Sequence, residues 1–476
     1  MKRLSATALL ASYLGLASTL DFHVPESLPT NASPRLSVAP VGVSIEFFAF
    51  PGYVTNVPAT KTCLQNLKDL TGTWPPLRIG GTTQDRATYD ASSTEAVTYN
   101  VADPKDAPET LTFGPKLISL ASEYGGRVTL GLNRRLNNLA NTIAAAKLAK
   151  NSIPNLHAVE LGNEPNFFSK NDPIAQGAAW SPAADYKSQV AWQDNVCGNL
   201  STDALISAGV YFGTAPMSIN GLTATEGDAN RYVKQYCSHN YPQSKGTADL
   251  PKLMGHSSIA TQIAPFKAEI AAAKSKNRPH VFGETNSATQ GGGGISQTYG
   301  AALWILDYTM QSLVLGTEAF YFHQGTIGNC AYCWWGKYSM GAPYYGAYFA
   351  TLALAGADNI APLDDQTTPY AAYVIYKAGR PAKVLLYNSD YYVTGVRSQQ
   401  SFRLTGLSAS TVTAKRLTAP SSTSRVDRGA NPSIAGQTFE NGSCVIKGQS
   451  QDEIVTVVAG IATFTVEASE ALLVYL

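Results

Sequence analysis

The sequence is poor in charge. Only 14% of its 476 residues are Asp, Glu, Lys or Arg, and 35 basic against 34 acidic side chains leave a net charge of +1. It contains no run of lysines and arginines, so it offers no basic field for nucleic acid or an anionic membrane. After the N-terminal residues, no apolar stretch reaches the ~20 residues that a membrane-crossing helix needs. Cysteine is sparse, at six. The one Cys-x-x-Cys, Cys330-Ala331-Tyr332-Cys333, has no second copy to complete a zinc site. Four glycines, Gly291 to Gly294, are not followed by the Gly-Lys-Ser/Thr of a phosphate loop. There is no internal repeat. No metal and no cofactor are expected, nor a nucleic-acid or membrane partner.

Apolar residues are not scarce. They make up 44% of the chain, with 25 Tyr against 16 Phe. Rings with polar edges suit sugar-binding surfaces and β-sheets alike. The length suggests one large and one smaller domain. Lys2 and Arg3, then the apolar Ala8 to Leu16 and the small Ala17, Ser18 and Thr19, resemble a secretory signal spanning residues 1–20. A secreted, extracellular, soluble protein is expected. Three Asn-x-Ser sequons, at Asn31, Asn199 and Asn441, fit secretion. So do the six cysteines, an even number that suggests disulfides in an oxidising compartment, with 15 connectivities open. For the Cys330/Cys333 pair a structural disulfide is the expected state.

From 41 to 355 short apolar runs alternate with helical patterns. The predicted strands are Val41–Phe50, Leu77–Gly81, Arg127–Leu132, Ala158–Glu164, Ile206–Thr214, Gln235–Tyr241, His280–Glu284 and Thr317–His323. Helices are expected at Asn141–Lys150, Ala184–Leu200, Gln262–Lys274 and Gln297–Leu313. Eight such units predict an α/β fold, a (β/α)8 TIM barrel with its chemistry at the C-terminal strand ends. From 356 to 476 short β-type runs with turn signals predict an all-β sandwich. The segment 21–40 is expected to add a strand to it.

Two short motifs each end an apolar run on a glutamate: Leu161-Gly162-Asn163-Glu164-Pro165-Asn166 and Phe282-Gly283-Glu284-Thr285-Asn286-Ser287. Two carboxylates on separate strand ends are what glycosidic hydrolysis needs. Glu160 is a poor partner for Glu164, because four residues of strand separate them by about 13 Å. It is expected lower in the barrel, in an ion pair or hydrogen-bond network. Pro165 should push Glu164 towards extended geometry. Gly80-Gly81-Thr82 ends the second strand and lets backbone approach a ligand. Asp85 is either a further contributor or a loop cap. Trp334 and Trp335 are either an aglycone platform or core, and His323 either touches substrate or is structural.

The Asn-Glu-Pro motif resembles the acid/base strand of the retaining (β/α)8 glycosidases. Together with Phe-Gly-Glu-Thr-Asn-Ser, Leu77-Arg78-Ile79-Gly80-Gly81-Thr82, His239-Asn240-Tyr241 and Ala301-Ala302-Leu303-Trp304, it resembles glycoside hydrolase family 79. That family includes the fungal and bacterial β-glucuronidases and the animal heparanases. The resemblance implies a retaining β-glucuronidase acting on glucuronic-acid-containing glycans or glucuronides, with acceptance of 4-O-methylated glucuronic acid left open. It implies Glu164 as acid/base, Glu284 as nucleophile, Asn163 as partner of the sugar 2-hydroxyl and Tyr241 as the tyrosine that orients the nucleophile. Glu46 would bind sugar hydroxyls, beside Gly81 and Thr82, and Tyr332 would bind the uronate carboxylate. Rival readings are heparanase-like endo cleavage, another retaining β-glycosidase on the same scaffold, and a non-catalytic carbohydrate-binding or wall protein.

Overall fold

Eight apolar runs become eight parallel strands that close into a barrel: Val41–Glu46 (β1), Leu77–Gly80 (β2), Val128–Leu132 (β3), Leu156–Leu161 (β4), Ile206–Phe212 (β5), Val233–Asn240 (β6), His280–Thr285 (β7) and Thr317–Gln324 (β8). Each pairs with its sequence neighbours, and β8 returns to β1 with Phe320 opposite Val41. The computed structural model describes residues 19–336 and 339–476. The leader expected over 1–20 lies outside the described residues up to position 18. Strands buried on both faces read as continuous apolar runs, which is why all eight are visible in the sequence.

Two predicted boundaries are corrected. The first strand stops at Glu46, and Phe50–Asn56 is a helix with Pro51 in its first turn. The single helix expected over Gln262–Lys274 is two, His256–Ile263 and Phe266–Ser275, because Pro265 cannot continue the first.

The remainder forms two β-sheets over a second apolar core. One runs in the order Asn359–Pro362, Tyr370–Lys377, Arg380–Asn388, Glu470–Tyr475, Thr411–Thr418, Ser433–Ile434, with Glu453–Thr456 also beside Thr411–Thr418. The other sets Leu20–His23 parallel to Gln399–Thr405, which pairs antiparallel with Ile461–Glu467. In that last strand Ala462, Phe464 and Val466 face the core, while Thr463 and Thr465 face out.

Barrel and β-domain meet along a buried seam. Helix Tyr299–Leu315 is buried over nearly its whole length and meets Pro343–Leu354 so closely that a Cβ on Gly346 would lie 1.9 Å from the Ala302 carbonyl oxygen. Only glycine fits there. Tyr299 donates to the Leu417 carbonyl at 2.9 Å. Also at the seam, the buried His256 binds Asp307 through Nδ1 at 2.7 Å and Asp364 through Nε2 at 2.9 Å. Two disulfides form, Cys63–Cys444 between barrel and β-domain and Cys330–Cys333 within one loop. Cys197 and Cys237 are buried thiols, so the even count does not make three pairs.

Candidate active site

The two motif glutamates meet at the C-terminal mouth of the barrel. One carboxylate oxygen from Glu164, one from Glu284 and a ring nitrogen of His239 all lie within 4.8 Å of one another. Glu284 sits on β7, where the run of apolar residues ends. Glu164 does not lie on a strand: β4 stops at Leu161, and Glu164 has φ 46° and ψ 58°, the left-handed region. This corrects the expectation of an extended residue before Pro165. Proline disfavours the right-handed region for its predecessor, but tertiary hydrogen bonds choose between the two that remain. The Glu164 N–H reaches the Val210 carbonyl at 3.1 Å, and its own carbonyl accepts from the Phe167 N–H at 2.9 Å. A non-glycine residue held this way costs on the order of 1–3 kcal/mol, and such strain clusters at functional sites.

Arg78 is the hub beneath both carboxylates. It is fully buried on β2. Its Nε donates to Glu160 at 2.8 Å, Nη1 to Glu284 at 2.6 Å and to Ser44 at 3.0 Å, and Nη2 to the Asn163 side-chain oxygen at 2.8 Å. Glu160 thus lies in a buried ion pair. Tyr241 donates to the other Glu284 oxygen at 2.7 Å. Glu284 therefore accepts one bond on each oxygen, which fixes its plane.

The surroundings push the two acids apart. Burial and the nearby charge of Glu284 raise the Glu164 carboxyl to about 8. Burial also opposes ionisation of Glu284, but His323, His239, Arg78 and the Tyr241 hydroxyl outweigh it and hold that carboxyl below the ordinary range. His239 binds Glu164 through Nδ1 at 3.0 Å, and burial lowers its own pKa to about 4, so it is a neutral partner. One acid is thus kept protonated within reach of one kept charged, a division of labour that acid–base chemistry on a single bond requires.

The remaining sequence-predicted residues surround this pair. Glu46 is held by the Thr83 N–H at 2.8 Å, the Thr83 hydroxyl at 2.5 Å and His323 Nε2 at 3.2 Å. Gly81 has φ 104°, and a Cβ there would lie 2.6 Å from the Glu46 carboxylate. Thr82, Asn163 and Glu164 line one small cavity. Tyr332 places its ring 5.9 Å from that of Tyr241 and 6.1 Å from His323, and burial keeps its phenol protonated.

Asp85 is a loop cap: it accepts the N–H groups of Arg134, Arg135 and Asn163. Trp334 and Trp335 are core, both essentially unexposed, and form no platform. The residues that sequence reading left without a role are Arg78, His239, Ser44 and Thr83. Strand alternation was the available signal. Ser44 shares a face with Glu46, and His239 with Tyr241. Among the described residues, two sets of side chains could offer metal-ligating atoms, Glu164–His239–Glu284 and Glu160–Cys237–His239. In each, one carboxylate already carries the Arg78 cation, which opposes a second cation there.

The model of the glycosyl hydrolase family 79 C-terminal beta domain matches residues 372–473. A beta-glucuronidase of Neurospora crassa is 30% identical, over 83% of this chain and 79% of its own. The chain belongs to glycoside hydrolase family 79. A second relative, a beta-glucuronidase of Aspergillus niger, is 28% identical over 79% of this chain and 77% of its own. The solved 4-O-alpha-L-rhamnosyl-beta-D-glucuronidase from Fusarium oxysporum, in complex with Rha-GlcA, is 72% identical. It covers 96% of this chain and 100% of its own, with a TM-score of 0.96. The protein is a glycoside hydrolase with a TIM barrel and a C-terminal β-domain.

Proposed function

We propose that this family 79 hydrolase is a secreted, retaining β-glucuronidase that cleaves the β-glucuronosyl bond near the chain end and releases glucuronic acid carrying a 4-O-α-L-rhamnosyl cap as its preferred glycon. The observation that carries the reaction is the pairing of one raised and one lowered carboxyl at the mouth of the barrel. The glycon rests on the 72% identity to the rhamnosyl-glucuronidase. An oxygen–oxygen separation within 4.8 Å favours retention, since retaining pairs lie about 5–5.5 Å apart and inverting pairs about 6.5–9.5 Å.

In the first step the Glu284 carboxylate attacks the anomeric carbon. The bond to the leaving oxygen breaks, and that oxygen takes the electron pair and the Glu164 proton. Glu284 is then a neutral ester, so the charge that raised the Glu164 pKa is gone. Glu164, now a carboxylate, deprotonates a water that attacks the same carbon and releases Glu284. The β configuration is restored. Asn163, its side-chain oxygen held by Arg78, presents its amide N–H2 to the sugar 2-hydroxyl. Glu46 takes up further hydroxyls. Tyr332, a protonated donor beside Tyr241 and His323, binds the uronate carboxylate. Secretion is supported by the N-terminal leader pattern and by three sequons whose asparagines are all exposed. Among the described residues no helix is long and apolar enough to cross a membrane.

The test is release of p-nitrophenol from its β-glucuronide, 4-O-rhamnosyl-β-glucuronide and β-glucoside, with Glu284→Gln as control. Turnover of the rhamnosylated substrate above the plain glucuronide, lost in the variant, is expected. Cleavage of the glucoside alone would refute the uronate reading. An active Glu284→Gln enzyme would refute the site. Size analysis of digested heparan sulfate separates exo from endo action.

A further inference from the structure

Phe167 is 60% exposed, the most exposed aromatic side chain among the described residues. It lies three residues after Glu164, and it is not loosely held. Its N–H donates to the Glu164 carbonyl, closing a 3-10 turn over Pro165–Phe167, and Trp180 Nε1 anchors that turn on the Pro165 carbonyl at 3.0 Å. The Asn166 amide clamps β5 from both sides, donating to the Phe212 carbonyl at 3.3 Å and accepting its N–H at 2.9 Å. That clamp sets the Phe167 and Phe212 rings 5.4 Å apart. Phe212 in turn stacks on Tyr241 with centroids 6.3 Å apart and planes 17° from parallel. A row of rings therefore runs from solvent to the hydroxyl that binds Glu284.

A single exposed ring is ordinary, but one held rigidly three residues from the proton donor offers an apolar face to whatever leaves past it. The chemistry says what would. Glu164 must face the oxygen of the scissile bond, so the leaving group departs past the residues beside it. A small cavity of about 60 Å³ opens there, lined by Glu164, Phe167, Phe168 and four further polar residues, Thr82, Asp85, Asn163 and Arg135, the last also paired with Asp172 at 2.6 Å. It is too small for a whole sugar ring, but it is amphipathic in the way a pyranose is, with C–H faces and a hydroxyl rim.

We propose that Phe167, backed by Phe212, is the platform for the first pyranose of the leaving glycan, with Thr82 and Arg135 facing that sugar's hydroxyl rim. The inference rests on Glu164 as the proton donor. Phe167 acts on aglycone choice and not on bond breaking itself.

The test compares Phe167→Ala with wild type on two donors carrying the same glycon. One is a glycoside whose leaving group is a pyranose, the other a methyl glycoside, whose leaving group has no ring but needs the same proton from Glu164. The expected result is a loss of about tenfold in kcat/KM on the pyranose-leaving donor with the methyl glycoside unchanged, the size expected for one ring contact. Phe167→Trp should retain activity on both. Equal losses on both donors would mean that Phe167 only supports Glu164, and no loss on either would mean that the leaving sugar does not touch it. Both results overturn the proposal. The pair is made with whichever glycon the wild-type enzyme turns over. A failure of the glucuronidase reading then appears as a change of donor, and a failure of the platform as the absence of a difference between leaving groups.

Discussion

Replacing Arg78 with methionine removes the one cation that both buried carboxylates share. Glu160 and Glu284 each lose a charged hydrogen bond, at 2.8 and 2.6 Å. Leaving a buried partner uncompensated costs about 3–5 kcal/mol of stability. The bond to Glu284 alone is worth roughly 1.5–3 kcal/mol, which converts to about 1–2 pH units at ~1.4 kcal/mol per unit. Glu284 should then need a higher pH to ionise, and the acid limb of kcat/KM should move up by that amount. Arg78 also lowers the Glu164 pKa, so its removal should push the basic limb up as well. The assay is kcat/KM against pH on the best aryl glycoside, with a denaturant titration in parallel. Both limbs moving in the same direction is the signature of a lost cation. A variant that is merely less stable, with both limbs where wild type has them, would refute the assignment of Arg78 as the electrostatic hub. Arg78→Lys keeps the charge but not the planar fork, and should fall between the two.

Wild-type kcat/KM should decline as the pH rises through about 8, where Glu164 loses its proton, and the decline should disappear for a fluoride donor that needs no acid. His256 gives the opposite kind of pH dependence, in stability. Burial would lower its pKa, but Asp307 and Asp364 bind both nitrogens and raise it to about 10. A raised folded-state pKa means stabilisation fully present below the unfolded value near 6.5 and lost as the pH climbs towards 10, several kcal/mol over that window. Guanidine titrations between pH 6.5 and 10 should show that slope, and His256→Gln should flatten it. Replacing Cys63 and Cys444 with serine opens a covalent link 381 residues apart in sequence, and should cost about 2–5 kcal/mol in the same titration. No change in midpoint would mean that the unfolded state gains nothing from losing the link.

The barrel was legible because its strands are apolar on both faces and punctuated by glycine and proline. The glutamates were legible because each interrupts such a run at its end. What escaped depended on partners distant in sequence. An arginine in Leu77-Arg78-Ile79 gives no sign that it will be fully buried, because the carboxylates that pay for its burial lie 82 and 206 residues away. The backbone of Glu164 escaped for a similar reason. Local rules remove one conformation, and the Val210 carbonyl on the next strand selects among the rest. Trp334 and Trp335 could have been platform or core, and only the closed shape decides. His256 was invisible as a site because its three main partners, Asp307 and Gln311 on one helix and Asp364 in a loop, lie 51 to 108 residues away.

The β-domain takes material from both ends of the described chain. Leu20 and Phe22 pack on the same apolar cluster as Leu476, whose N–H donates to the Ala382 carbonyl, and Cys444 reaches back to Cys63 on a barrel helix. The barrel is therefore clasped like a bracelet, with strand pairing at one fastening and sulfur at the other. A protease that nicks the stretch between barrel and β-domain would cut the chain without parting the halves. The mouth of the barrel and its carboxylates cannot be freed from the β-domain without reducing the disulfide and unpairing a strand. Catalytic and accessory parts are thus lost together or kept together.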